Sequence, residues 1–188
     1  MPRHLAALVV AVGLVSAGCA SAGSDAPDKE PRILKGSAKG QTVKGTGYAL
    51  KAPRGWAPRR IRVPGYGHAD THVFDLADDD GFADNFSVVL AEPGAYDVDE
   101  MEAAALNEMG IIGARKRRVR TPVLVAGEPA THVSGRMTKN RVTYAVEQYH
   151  PVQDDRVYVV TFSFSPGLGR AERERTAELV LNSWRWRE

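Results

Sequence analysis

The amino-acid sequence predicts an α+β domain: a largely antiparallel sheet of about seven strands with helices packed on it. Three observations lead there. Strand-like runs at 117–125, 130–137, 141–149 and 156–164 follow one another with only short polar turns between them. Three earlier runs of the same kind stand ahead of a single stretch of helical spacing after Asp97. A second helical stretch closes the chain. Strands grouped in hairpins, with helices set apart from them, favour α+β over alternating α/β.

The elements follow in order. The run 47–53 reads as a strand stopped by Pro53 ahead of Gly55 and Trp56. Polar and apolar residues alternate over 71–76, a turn follows at Asp78-Asp79-Asp80-Gly81, and 85–92 is a further strand. Asp97 opens a helix, and Glu100 three positions later completes a capping box. Val98, Met101, Ala105, Met109 and Ile112 fall on one apolar face of that helix, and Gly110 and Gly113 are candidate stops. The four hairpin strands are separated at 126–129, 138–140 and 153–155. In the last of them Val160, Phe162 and Phe164 share one face while Val157, Val159 and Thr161 share the other, so both faces call for cover. The final helix spans about 170–184, with Ala177, Val180, Leu181 and Trp184 on its apolar side.

Ahead of the domain, Arg3 precedes an apolar run from Leu5 to Val15, and Ser16-Ala17-Gly18 precedes Cys19, the sole cysteine of 188 residues. That order is the pattern of a secretory signal. A cysteine placed directly after it resembles the lipobox of bacterial lipoproteins, although Ser16 stands where lipoboxes usually carry Leu. The resemblance implies cleavage before Cys19 and a diacylglycerol thioether on its sulfur. Two acyl chains hold firmly, where one binds only marginally. The competing readings are a plain secretory signal and a membrane span, but the apolar run falls short of the roughly 20 residues a span needs. The expected organisation is a signal at 1–18, a lipidated N-terminus and flexible tether at 19–42, and one domain at 43–188. Small, polar and charged residues dominate the tether and leave little to bury. A flexible stretch of about 20 residues spans roughly 25 Å.

Four short stretches resemble the PsbP-like superfamily, and more narrowly the LpqN/LpqT type of bacterial lipoprotein. They are Pro53-Arg54-Gly55-Trp56, Asn85-Phe86-Ser87-Val88-Val89, Ala126-Gly127-Glu128-Pro129-Ala130 and Leu181-Asn182-Ser183-Trp184-Arg185-Trp186. The similarity covers about 43–186. It implies an α/β/α sandwich around an antiparallel sheet, and binding or accessory roles without catalytic residues. Its motifs consist of packing residues, so no functional residue is carried over.

Composition adds exclusions. Residues 19–188 hold 24 basic and 23 acidic side chains, a balance that offers no electrostatic case for nucleic acid. With Cys19 modified, no thiol remains for a disulfide, a thiolate metal site or a nucleophile. His68 and His72, near Asp70 and Asp75, have the spacing of a helical metal pair, but Pro64, Gly65 and Gly67 argue against a helix there. Aligning Gly81 with the glycine of a calcium loop puts Leu76 and Ser87 where acidic ligands belong, so a plain turn is favoured. No nucleophile elbow and no phosphate loop occurs. The densest basic run, Arg115-Lys116-Arg117-Arg118-Val119-Arg120, reads first as a solvated sheet edge and second as a contact for anionic headgroups. Trp184 is assigned to packing, whereas Trp186 and Tyr66 stay open as ligand stackers.

The expected function is a membrane-tethered, non-enzymatic binding or accessory lipoprotein. Its site list holds only the lipidation site Cys19, with no catalytic residue, metal ligand or cofactor. Its partners are the membrane, through the anchor, and an unidentified protein, with no nucleic acid. The alternatives are a carrier of a small apolar ligand, in a pocket lined by Phe86, Tyr144, Phe162 or Met109, and a hydrolase with an unrecognised Ser/His/Asp site.

Overall fold

A computed structural model describes residues 30–59, 69–78, 81–91 and 97–188. Its main sheet is built from β3 (Trp56–Pro58), β4 (Thr71–Asp75), β5 (Asn85–Leu90), β6 (Arg115–Val125), β7 (Glu128–Lys139), β8 (Val142–His150), β9 (Val152–Gln153) and β10 (Arg156–Phe164). They follow the path β3-β4-β5-β10-β8-β7-β6, with β9 paired to β10 off that path. Every pairing among them is antiparallel. The hairpin chemistry is visible in the backbone. Ala126 and Gly127 take φ of 50° and 97° in the β6–β7 turn, and Asn140 and Arg141 take 51° and 69° in the β7–β8 turn. Two consecutive positive φ values mark the turn type whose twist matches that of paired strands.

A second sheet departs from the single-sheet expectation. The strands β1 (Thr42–Gly45), β2 (Tyr48–Lys51) and β11 (Arg185–Trp186) form a separate three-stranded sheet in the order β1-β2-β11. The short β1–β2 hairpin recruits the chain terminus at Tyr48↔Trp186, a pairing between residues far apart in sequence.

Helix α1 (Val98–Ile111) begins as expected: the Asp97 carboxylate accepts a hydrogen bond from the Glu100 backbone N–H at 2.7 Å. Its buried face is Met101, Ala105 and Met109, whereas Val98 is exposed. Helix α2 (Arg170–Leu181) ends three residues short of Trp184. Trp184 is nevertheless fully buried, just past the helix cap. The two helices cover opposite faces of the main sheet. Even-numbered residues of β10 and odd-numbered residues of β8, such as Phe162 and Tyr149, join the larger core with Ala177, Val180 and Leu181 of α2. Val146 and Val133 join the smaller core with Ala105 and Met109 of α1. The three-stranded sheet shares the α2 side, where Tyr48 stacks on Trp184 at 4.3 Å. The layers are therefore α1, the large sheet, and a mixed layer of α2 with the small sheet.

The packed chain begins before Val43, the boundary expected from sequence. The Arg32 N–H donates to Pro122 O at 2.9 Å and Arg32 O accepts from the Leu124 N–H at 3.0 Å, laying this segment parallel to edge strand β6. Leu34 and Ala38 are buried, and the Ala38 N–H donates to Leu179 O at 2.8 Å. A composition poor in aromatics hid these contacts, because two small anchors and backbone hydrogen bonds suffice to hold the segment.

Candidate functional site

The β6 edge carries the most chemically distinctive surface among the described residues. Its first four residues, Arg115 to Arg118, are all exposed. The register places Arg115 opposite Arg136 on β7, then breaks at a bulge between Arg115 and Arg118, where Lys116 adopts φ 52°. A bulge re-aims side chains and strengthens the local twist. Here it turns the strand start around two open concavities of about 440 Å³ each. One is lined by Leu106, Ala114, Arg115, Lys116 and Arg117. The other is lined by Gly113, Arg115, Lys116, Arg136, Thr138 and Thr143. Arg117 is fixed by donating from Nη1 to Leu106 O at 2.6 Å. That fit depends on Gly110, where a Cβ would lie 2.2 Å from the same Nη1. Thr138 and Thr143 share a hydrogen bond at 2.8 Å. The basic run thus lies on a sheet edge, as the sequence indicates, and the fold adds Arg136 and the two hydroxyls to it. Only cross-strand register could bring these in.

A second group is polar but closed. On the α2 side, His132 Nε2 lies 3.1 Å from Glu147 Oε2, and the Arg173 Nε donates to Glu147 Oε1 at 3.4 Å. His132 also stacks on Tyr149 at 4.0 Å. Burial pushes the Tyr149 hydroxyl well above its ordinary range, with the Glu147 charge adding to it. Ser134 Oγ accepts from the Arg120 Nε at 2.7 Å, while His132 Nδ1 has no hydrogen-bond partner. Serine, histidine and carboxylate are close here, yet the serine is not joined to the histidine and all three are buried. A nucleophile needs both the base and access to substrate, so this group is a packed ionic cluster and no hydrolytic triad.

On the α1 side of the sheet, one polar row runs across four strands in register: His72, Ser87, Thr161 and Gln148. His72 pairs with Asn85 at 3.2 Å, and the Gln148 Nε2 donates to Thr161 Oγ1 at 3.1 Å. Burial lowers the affinity of His72 for a proton, partly offset by Asn85. Nearby, His150 is driven down to about 4 by burial, against the backbone of Thr131 and together with His132, and no hydrogen bond of ordinary geometry reaches either of its ring nitrogens.

Cys19, His68, Tyr66, Asp79 and Asp80 lie outside the described residues. His72 faces Asn85 rather than a carboxylate, Asp70 binds Thr46, and Asp75 and Asp78 cap the local backbone of Ala77 and Asp84. Among the described residues, no group of three or more His, Cys, Asp or Glu side chains could hold a metal. The four side chains expected to line an apolar pocket do not converge. Phe86 and Phe162 pack in the α2-side core, Met109 and Tyr144 in the α1-side core. Trp56 and Trp184 are core residues, and Trp186 packs against Tyr158 and Trp184.

The chain matches no protein-family model and no curated protein sequence. Solved structures do resemble it. A crystal structure from Bacteroides thetaiotaomicron aligns over 79% of this chain with a TM-score of 0.54 at 13% identity. This chain spans about half of that protein, 49% of its length. Cyanobacterial PsbP from Synechocystis sp. PCC 6803 aligns over 78% of this chain and 92% of its own, with a TM-score of 0.48 at 13% identity. LpqN of Mycobacterium tuberculosis, described as involved in cell envelope biogenesis, aligns over 77% and 88%, with a TM-score of 0.47 at 15% identity. These likenesses are of chain path alone. No helix of the described residues is long and apolar enough to cross a membrane.

Proposed function

We propose that this chain is an extracytoplasmic lipoprotein, held at the membrane by a diacylglycerol thioether on Cys19, that acts as a non-enzymatic binding or accessory protein for a protein partner. The observation that carries the reading is in the sequence: a charged start, an apolar run and small residues end directly at the sole cysteine. The folded part is compatible with it. Among the described residues the Ser134/His132/Glu147 grouping is sealed in the core, and the exposed chemistry is a charged rim suited to contact rather than turnover. No cofactor is part of the proposal.

Intact-mass analysis of the native protein from membranes tests the anchor. A diacylglyceryl adduct on a chain starting at Cys19 is expected, and Cys19→Ser releases the protein from the membrane fraction. A full-length chain with a bare thiol sinks the proposal. Crosslinking in cells should then enrich one specific protein with the wild type.

A further inference from the structure

We propose that the cationic start of β6 is a docking site for anionic phospholipid headgroups, with Ile111 as its apolar foot. The site goes beyond the anchor at Cys19 and would operate without it.

Four observations carry this. First, the charge is concentrated and uncompensated. Arg115, Lys116, Arg118, Arg136, Lys139 and Arg141 are exposed, and among the described residues none takes part in an ion pair. Between Met109 and Val146 the sequence has one carboxylate, Glu128, at the opposite end of the β6–β7 ladder. Second, Arg115 and Arg136 are direct cross-strand neighbours. Like charges opposite one another destabilise a sheet, and an anion between them removes that penalty. Third, Lys116 holds φ 52° in a bulge, a conformation that is unfavourable for a side-chain-bearing residue and is tolerated where it aims that side chain. The result is two concavities that combine guanidinium forks, an ammonium and threonine hydroxyls, donors matched to phosphate oxygens. Fourth, Ile111 is 78% exposed at the end of α1, two residues before Gly113, which lines one of these concavities. A free phosphate has no use for an exposed isoleucine. A bilayer interface does, because apolar side chains enter the acyl boundary while flanking cations hold the headgroups.

The test uses the full chain carrying Cys19→Ser, so that no thioether contributes. Partitioning is measured onto phosphatidylcholine vesicles and onto vesicles containing about 30 mol % phosphatidylglycerol. The leader contributes alike in every variant, so the ratio of the two partition coefficients reports the site. A ratio well above one is expected, collapsing at roughly 0.5 M salt. Replacing Arg115, Lys116 and Arg136 together by Gln should lower it about a hundredfold, since each cation near the surface contributes roughly fivefold. Ile111→Ser should weaken binding to the anionic vesicles while the far-UV spectrum stays native. A ratio unchanged in the triple variant, with that variant folded, overturns the proposal. So does displacement by millimolar inorganic phosphate at constant ionic strength with Ile111→Ser silent, which would assign the rim to a soluble phosphate. Should the triple variant unfold, Lys139→Gln with Arg141→Gln, at the exposed β7–β8 hairpin end, must lower the ratio instead, and failure there is equally decisive. The mass of Cys19 is read separately, so the anchor and this site can fail independently.

Discussion

The two faces of the main sheet are covered by helices of similar length, yet they are built differently. On the α2 side the core is broad and aromatic: Tyr48, Trp56, Phe86, Tyr149, Phe162, Phe164 and Trp184 are all buried there, and the small sheet completes the cover. On the α1 side the buried apolar cluster among the described residues is Ala105, Met109, Ala114, Val133 and Val146, with no aromatic ring in it. Apolar burial scales with area, and aromatic side chains bring the most. The α2 side therefore supplies most of the cohesion. The α1 side carries the light cover, the polar row and the exposed Ile111, while the cationic rim straddles the sheet edge, with Arg117 on the α1 side and Arg115 and Arg136 on the other. Cohesion is thus unequal between the two faces of one sheet.

The sharpest way to break the comparison is Trp184→Ala. Removing a fully buried ring that stacks on Tyr48 should cost about 3–5 kcal/mol, read as a lower urea midpoint. It should also release β11, because Trp186 pairs with Tyr48. Acid comes next. His150 has its proton affinity lowered from 6.5 to about 4 by burial. The unfolded chain therefore binds the extra proton across that window, and stability falls as pH drops from about 6.5 to 4 by up to ~3 kcal/mol. His150→Gln should flatten that slope in urea titrations at each pH. A slope that survives the substitution assigns the acid response elsewhere. Met109→Ala tests the lighter face. It should cost about 2–3 kcal/mol, and hydrogen exchange should show the loss of protection concentrated in α1 and the start of β6. Global loss equal to that of Trp184→Ala would erase the proposed asymmetry. Smallest is Arg136→Gln, which relieves the repulsion with Arg115 and should stabilise by about 0.5 kcal/mol at low salt.

Much of this was legible in the residues. Period-two alternation marks β4, strand-like apolar runs mark β5 and β10, and the Asp97–Glu100 signal places the start of α1 to the residue. The two apolar faces of the last long strand announced cover on both sides. What stayed hidden depends on non-local pairing. Nothing in Tyr48-Ala49-Leu50-Lys51 reveals that its partner is Arg185-Trp186, so the second sheet was invisible. Trp184 has helical spacing with Val180 and Leu181, so the pattern extends the helix past its end at Leu181 while it places the ring in the core. Phe86, Phe162, Met109 and Tyr144 looked like one pocket because sequence does not say which face of the sheet each strand presents to which helix. The candidate site was half visible. The basic run on β6 stands out, but Arg136, Thr138 and Thr143 join it only through the register of β7 and β8.

The bridge of Arg32 to β6 has a geometric consequence. Thirteen peptide steps separate Cys19 from Arg32, so a chain fastened at that sulfur cannot let Arg32 stray more than ~45 Å. Arg32 docks beside Val123, and Arg115 begins the same strand about 26 Å away. A leash that leaves the body along one edge, with a charged contact at that edge's other end, gives two points of attachment on a line. A domain held so could still roll about that line, but it could no longer tumble, and the surfaces it offers to a partner would have a fixed bearing relative to the bilayer.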